Sequence, residues 1–221
     1  MDSGTERRER LERSRLYFVV ESAVGGRPAD PIVAAALEGG ADIVQLRDKD
    51  AGDEAILDCA ARFRALCDEH DALFVLNDRP DLAARCGADG VHVGQDDARV
   101  EQARAMVGRD VLIGLSTHAP EQFAAGLAAG ADYLCAGPVH QTPTKPGRAA
   151  TGLGYLRHAA AHAGGRPWFA IGGIDPHNVA EVADAGAQRI VVVRAIRDAR
   201  DPRAAARELR AALETGVGAA R

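Results

Sequence analysis

The chain lacks the features by which several functional classes are recognised. Its four cysteines, Cys59, Cys67, Cys86 and Cys135, form no C-x-x-C pair and sit in helix-like or strand-like segments, so they read as reduced core residues. No apolar run approaches the length needed to span a bilayer. The first residues, MDSGTERRERLERSR, mix both charge signs and have no apolar core of a signal peptide, which makes the cytoplasm the expected compartment. Positive charge is not in excess either. With 27 Lys+Arg against 32 Asp+Glu, the formal net charge is -5, and there is no electrostatic case for nucleic acid or an anionic membrane surface. Any anion must be gripped locally. Finally, no G-x-G-x-x-G follows the first strand candidate, which counts against a doubly wound dinucleotide-binding sheet.

What is present is repetition. Short apolar runs begin at Leu16 (LYFVV), Ile43 (IVQLR), Leu73 (LFVLN), Gly90 (GVHVG), Val111 (VLIGLS), Tyr133 (YLCAG), Trp168 (WFAIGG) and Ile190 (IVVVRA). The segments between them, such as DEAILDCAARFRALCDEH and PEQFAAGLAAG, carry apolar residues at three-to-four spacing and read as helices. Gly40-Ala41-Asp42, Gly87-Ala88-Asp89, Gly130-Ala131-Asp132 and Gly186-Ala187-Gln188 stand between a helix and the next strand, where glycine suits the left-handed residue that ends a helix. Eight βα units in this length predict an α/β fold, a single (β/α)8 TIM barrel over residues 16–216. A charged arm at 1–15 precedes it and a short tail at 217–221 follows. The arm, with Glu and Arg at helical spacing, is open between a solvated helix and a segment without fixed structure.

In such a barrel the site is built at the carboxyl ends of the strands. The second strand ends in Gln45-Leu46-Arg47-Asp48-Lys49, and alternation puts Gln45, Arg47 and Lys49 on one face. The third ends in Asn77-Asp78 and the fourth in Gly94-Gln95-Asp96-Asp97, so carboxylates meet these cations at one mouth. Magnesium would suit such a pair, because it keeps several waters and takes its remaining ligands from phosphate. General acid or base work, rim ion pairs and a helix cap are the other roles open to the same residues. The fifth strand supplies Ser116-Thr117-His118. The loop AGPVHQTPTKPG follows the sixth, where three prolines exclude helix and central strand and hold Lys145 beyond that strand's end, with Thr142 and Thr144 beside it. Gly172-Gly173 and Val193-Arg194 follow strands seven and eight, a common place for phosphate, and Asp175-Pro176 reads as the cap and first residue of the next helix. His158 and His162 lie four apart on a helix leading away from the mouth, with no third ligand in sequence reach. Two anion sites with a metal between them predict a magnesium-dependent transferase that acts on a diphosphate and a second, phosphorylated substrate.

The segments VQLRDK, LFVLNDR, GVHVGQDD, IGLSTH, ADYLCAGPVHQTPTKPG and FAIGGI with RIVVVRAI, in that order, closely resemble the thiamin phosphate synthase family over Leu16 to about Ile196. The resemblance implies a (β/α)8 barrel joining 4-amino-2-methyl-5-hydroxymethylpyrimidine diphosphate to a thiazole (or carboxythiazole) phosphate, with release of pyrophosphate. It further implies that Gln45, Arg47, Lys49, Asn77 and Ser116 contact the pyrimidine diphosphate, Asp78 and Asp97 hold Mg2+, and Lys145 binds the diphosphate. Thr142, Thr144, Gly172, Gly173, Val193 and Arg194 would then serve the thiazole phosphate. Arg47, Lys49, Ser116 and Lys145 are the residues it marks as catalytic, and the mechanism it implies is departure of diphosphate followed by capture of a cation. The family pattern has serine where this chain has Arg194, and more often aspartate where it has Glu21. Three rival readings are a related thiazole tautomerase using a histidine near His118, a barrel with a Schiff-base lysine at Lys49 or Lys145, and a non-catalytic phosphate-ligand sensor. The partners implied are small molecules, and homo-oligomerisation is left open.

Overall fold

The computed structural model describes residues 3–142, 147 and 149–217. Its sheet follows from the apolar runs. Eight parallel strands, β1 (Leu16–Val20), β2 (Ile43–Leu46), β3 (Leu73–Asn77), β4 (Gly90–Val93), β5 (Leu112–Thr117), β6 (Tyr133–Ala136), β7 (Trp168–Ile171) and β8 (Ile190–Val192), pair with their sequence neighbours and close into a barrel. At the closing seam Leu16 stands opposite Ile190 and Phe18 opposite Val192. All eight predicted runs become strands, and the barrel expectation holds.

Each strand divides its side chains between two apolar compartments. Tyr17, Val19, Ile43, Val75, Leu112, Tyr133, Phe169 and Val191 fill the inside of the barrel. Leu16, Phe18, Val20, Val44, Phe74 and Leu134 pack outward under the helices. The interior is a filled core and not a pore, as closure of eight strands requires. Among the residues under the helices, Cys59 and Cys67 are buried free thiols, each pushed up to about 12 by burial.

The helix-to-strand punctuation does more than turn the chain. Gly40, Gly87, Gly130 and Gly186 all have positive φ, between 65° and 99°, as a helix-ending residue without a Cβ allows. The aspartate two residues on then takes the N–H at the start of the preceding strand. Asp42 accepts from Leu16 at 2.9 Å, Asp89 from Phe74 at 2.8 Å and Asp132 from Ile113 at 2.8 Å. Three of the four repeats therefore carry a register clamp that the glycine pattern alone did not reveal.

Those clamps anchor the charged arm. Helix α1 (Gly4–Arg13) opens on a Ser3/Glu6 capping box and lies across the amino-terminal end of the barrel. Arg7 pairs with Asp89 at 3.0 Å and Arg8 with Asp132 at 3.0 Å, while Leu11 is buried among the interior barrel residues. Arg64, on α3 (Asp53–Glu69), also pairs with Asp89; Arg104, on α5 (Val100–Val107), reaches Asp132 at 2.5 Å. The arm is thus a packed cap and neither a solvated helix nor a loose segment. Full burial of one leucine is worth about 1.5–3 kcal/mol, which offsets the ordering of one or two residues at about 1–2 kcal/mol each, so the ion pairs of Arg7 and Arg8 accompany Leu11 in holding the helix.

The turn after β7 carries the predicted cap. Asp175 Oδ1 accepts the His177 N–H at 2.8 Å, the Asp175 carbonyl accepts the Val179 N–H at 3.0 Å, and Asn178 Oδ1 accepts the Asp175 N–H at 2.9 Å. With Pro176 in the first position after it, Asp175 thus caps the entry to α8 (Val179–Asp184) reciprocally with Asn178.

Candidate active site

A cavity of about 440 Å³ opens at the carboxyl ends of the strands. Gln45, Arg47 and Lys49 line it from β2, Asn77 and Asp78 from β3, Asp97 from the turn after β4 and Ser116 from β5. Thr142 follows β6, and Gly172, Gly173, Val193 and Arg194 complete the wall after β7 and β8. Asp96, the third carboxylate candidate, is exposed and is not on this wall. Thr144 and Lys145 lie outside the described residues.

The two wall carboxylates are held in different ways. Asp78 has φ 58°, a left-handed backbone that is uncommon outside glycine and is found where a site demands it. Its N–H donates to the His92 carbonyl at 2.8 Å, and its Oδ2 lies 3.1 Å from Lys49 Nζ. Asp97 closes its own turn, with Oδ2 accepting the Gly94 N–H at 2.8 Å. Among the described residues no three His, Cys, Asp or Glu side chains cluster as a metal site. Two hard carboxylates suit an ion that completes its shell with water and phosphate oxygens, as magnesium does, better than one that needs a full protein cage.

The opposite wall is shaped by close packing of two loops. Gly172 and Gly173 have φ 107° and 67°; a Cβ on Gly172 would overlap Pro138, and one on Gly173 would come within 2.8 Å of the His140 Cβ. Val139 N–H donates to the Ile171 carbonyl at 2.9 Å, and His140 N–H to that of Gly172 at 3.0 Å. The glycines are thus required by loop packing, whatever they bind. Beside them Arg194, on α9 (Arg194–Arg197), bonds Asp198 at 3.0 Å, and Arg197 bonds Glu21 at 2.9 Å and Asp198 at 2.7 Å. Both departures from the family pattern therefore enter one ion-pair cluster, in which the arginines hold the Asp198 carboxyl below the usual carboxylate range, Arg197 first.

Several residues escaped the sequence reading. Tyr17, His92 and Tyr133 form a buried polar line beneath the cavity that ends on Gln45 and Ser116. Gln95 donates to the Ser116 carbonyl at 2.7 Å. A signal for His92 was available: it is the polar residue at the inward position of the run GVHVG. His118 lines the cavity and donates from Nδ1 to the Gly137 carbonyl. His158 and His162 stack 4.0 Å apart on α7 (Gly152–His162), off the cavity wall.

With this geometry in place, the likenesses are specific. A family model described as thiamine monophosphate synthase matches residues 16–196. Thiamine-phosphate synthase of Thermus thermophilus is 52% identical over 201 residues, 90% of this chain and 97% of that protein. The thiamine-phosphate synthase of a Nostoc species is 48% identical over 199 residues, 90% of this chain; this chain spans 56% of that longer protein. Among solved structures, thiamine phosphate pyrophosphorylase from Pyrococcus furiosus superposes with TM-score 0.85 at 35% identity, covering 96% of this chain and 99% of that one.

Proposed function

The chain belongs to the thiamine monophosphate synthase family, a transferase of thiamin phosphate synthesis, and from that premise we propose how its own residues divide the work. One wall, with Arg47 and Lys49, takes the diphosphate of the aminopyrimidine substrate, a role that the family resemblance gives to Lys145 as well. Gln45, Asn77 and Ser116 hold its ring. The other wall, with Thr142, Gly172, Gly173, Val193 and Arg194, takes the phosphate of the thiazole, a role that the family resemblance gives to Thr144 as well. The observation that carries this reading is the convergence of Arg47, Lys49, Asp78 and Asp97 on one cavity that Gly172, Gly173 and Arg194 bound on its far side.

Asp78 and Asp97 would hold Mg2+, which supplies positive charge to the departing diphosphate. In the present arrangement Lys49 neutralises Asp78; a bound diphosphate draws that ammonium across, so the cation serves the leaving group only when substrate is in place. The C–O bond to diphosphate breaks with both electrons on the leaving oxygen. The aminopyrimidine ring carries the resulting cation, and the thiazole nitrogen lone pair closes the new C–N bond. No protein nucleophile is needed, and positioning and electrostatics make up the protein's contribution. Val19, Ile171, Ile174 and Val191 add apolar surface to the cavity lining, which keeps water from competing for the cation. The chain would act on these small molecules in the cytoplasm; among its described residues no helix is long and apolar enough to cross a membrane.

The test is an endpoint assay with both substrates and magnesium, the product oxidised to a fluorescent thiochrome. Product only when all three are present is expected. Binding of the thiazole phosphate without product would favour the tautomerase or sensor reading.

A further inference from the structure

Five buried polar side chains from five different strands form one unbroken line under the cavity. Gln45 Nε2 donates to the Tyr17 hydroxyl; that hydroxyl lies 3.0 Å from the Tyr133 hydroxyl, which lies 3.2 Å from His92 Nδ1; His92 Nε2 lies 2.9 Å from Ser116 Oγ. Both tyrosines are fully buried, and Gln45, His92 and Ser116 nearly so. Gly114, paired with Tyr133 across β5 and β6, makes room for the line, because a Cβ there would overlap the tyrosine ring.

Proton counting gives this line a direction. An amide nitrogen can only donate, so Tyr17 accepts from Gln45 and its single proton must go to Tyr133. Tyr133 then donates to His92 Nδ1. The neutral imidazole therefore carries its proton on Nε2 and gives it to Ser116 Oγ, which leaves the serine's own O–H free to donate into the cavity. At the other end Gln45 keeps its Oε1 as an acceptor. An imidazolium would reverse the Tyr133 bond and strand the Tyr17 proton in the core, an unsatisfied buried donor. Burial also holds both phenols far above their usual range, so neither ionises to supply an alternative acceptor state.

We propose that His92, Tyr133 and Tyr17 are positioning residues that set the hydrogen-bond polarity of the cavity floor, making Ser116 a donor and Gln45 an acceptor. A floor of that polarity matches a ring with a lone-pair nitrogen and an exocyclic amine, and mismatches the oxo analogue, whose edge presents N–H and C=O. Both mismatched ends then face buried groups of like kind, which is how a polar site rejects an isostere. The proposal rests on the reading that the cavity takes an aminopyrimidine diphosphate.

Two measurements test it. In the wild-type protein with 15N-labelled histidine, the His92 ring resonances, assigned by their loss in His92→Phe, should show Nε2 protonated and Nδ1 bearing the lone pair. The opposite tautomer or an imidazolium at neutral pH would overturn the proposal without any variant having to fold. Second, the Kd values of the amino and oxo pyrimidine diphosphates are compared without thiazole, so that cation chemistry does not enter. Wild type should prefer the amino ring by about 100-fold, and Tyr133→Phe or Tyr17→Phe should cut that preference about tenfold, the worth of one such bond. An unchanged preference in both tyrosine variants sinks the positioning role and leaves the synthase reading intact. Wild type that binds neither diphosphate sinks that reading and the proposal together.

Discussion

At the amino-terminal end of the barrel Asp89 is buried and bound by Arg7, Arg64 and the Phe74 N–H, whereas at the carboxyl end Asp97 is exposed and accepts a single N–H from its own turn. The same contrast runs through the neighbouring charges. Asp42 and Asp132 each meet an arginine and a strand-end N–H, while among the described residues Arg47 has no ion-pair partner and Lys49 shares one contact with Asp78. Charges at the closed end are satisfied by the fold itself. At the open end Arg194 is paired with Asp198, but Arg47, Lys49 and Asp97 are only partly neutralised, which is the state in which a charged ligand gains most from them.

The sharpest way to break this comparison is to remove one aspartate from the closed end. Asp89→Ala leaves the buried Arg7 guanidinium without its carboxylate and Arg64 with Asp68 alone, and loss of one partner from a buried pair costs about 3–5 kcal/mol; chemical denaturation should show that loss. At the open end, Asp97→Ala should reduce kcat/KM about 100- to 1000-fold, the usual scale for losing transition-state charge stabilisation, and flatten the magnesium response in steady-state assays. Its thermal midpoint should stay within a few degrees of wild type. Gly114→Ala probes the layer between the two ends: the added methyl meets the Tyr133 ring, and overpacking of this kind costs about 1–3 kcal/mol, read by the same denaturation experiment. The smallest effect concerns Cys59 and Cys67. With their thiols raised by burial to about 12, the thiolate fraction is negligible up to about pH 9, so both should resist a thiol reagent in the native protein and react once it unfolds.

The two ends also differ in how far they could be read in sequence. Strands and helices were legible because their signals are local: LYFVV or PEQFAAGLAAG declares its period within a dozen residues. The open end was legible for the same reason, since alternation from a strand such as IVQLR carries directly to Arg47 and Lys49. The closed end was not. Arg7 finds Asp89 82 residues away and Arg8 finds Asp132 124 residues away, pairings that no window of sequence contains. The contact between Tyr17 and Tyr133, 116 residues apart, is hidden from a sequence window in the same way. Gly172 and Gly173 were legible as glycines with a purpose, but the loop of Pro138 to His140 against which they pack became visible only in three dimensions.

The most direct test of the division between the ends is the turnover of Asp97→Ala relative to that of Asp89→Ala, both measured as thiamin phosphate formed per folded molecule below their unfolding transitions. A ratio of about 10⁻² or lower is expected, with Asp89→Ala close to wild type once folded. A ratio near one would mean that the exposed carboxylate at the open end does no more for the reaction than the buried one at the closed end, and would contradict the assignment of the catalytic charges.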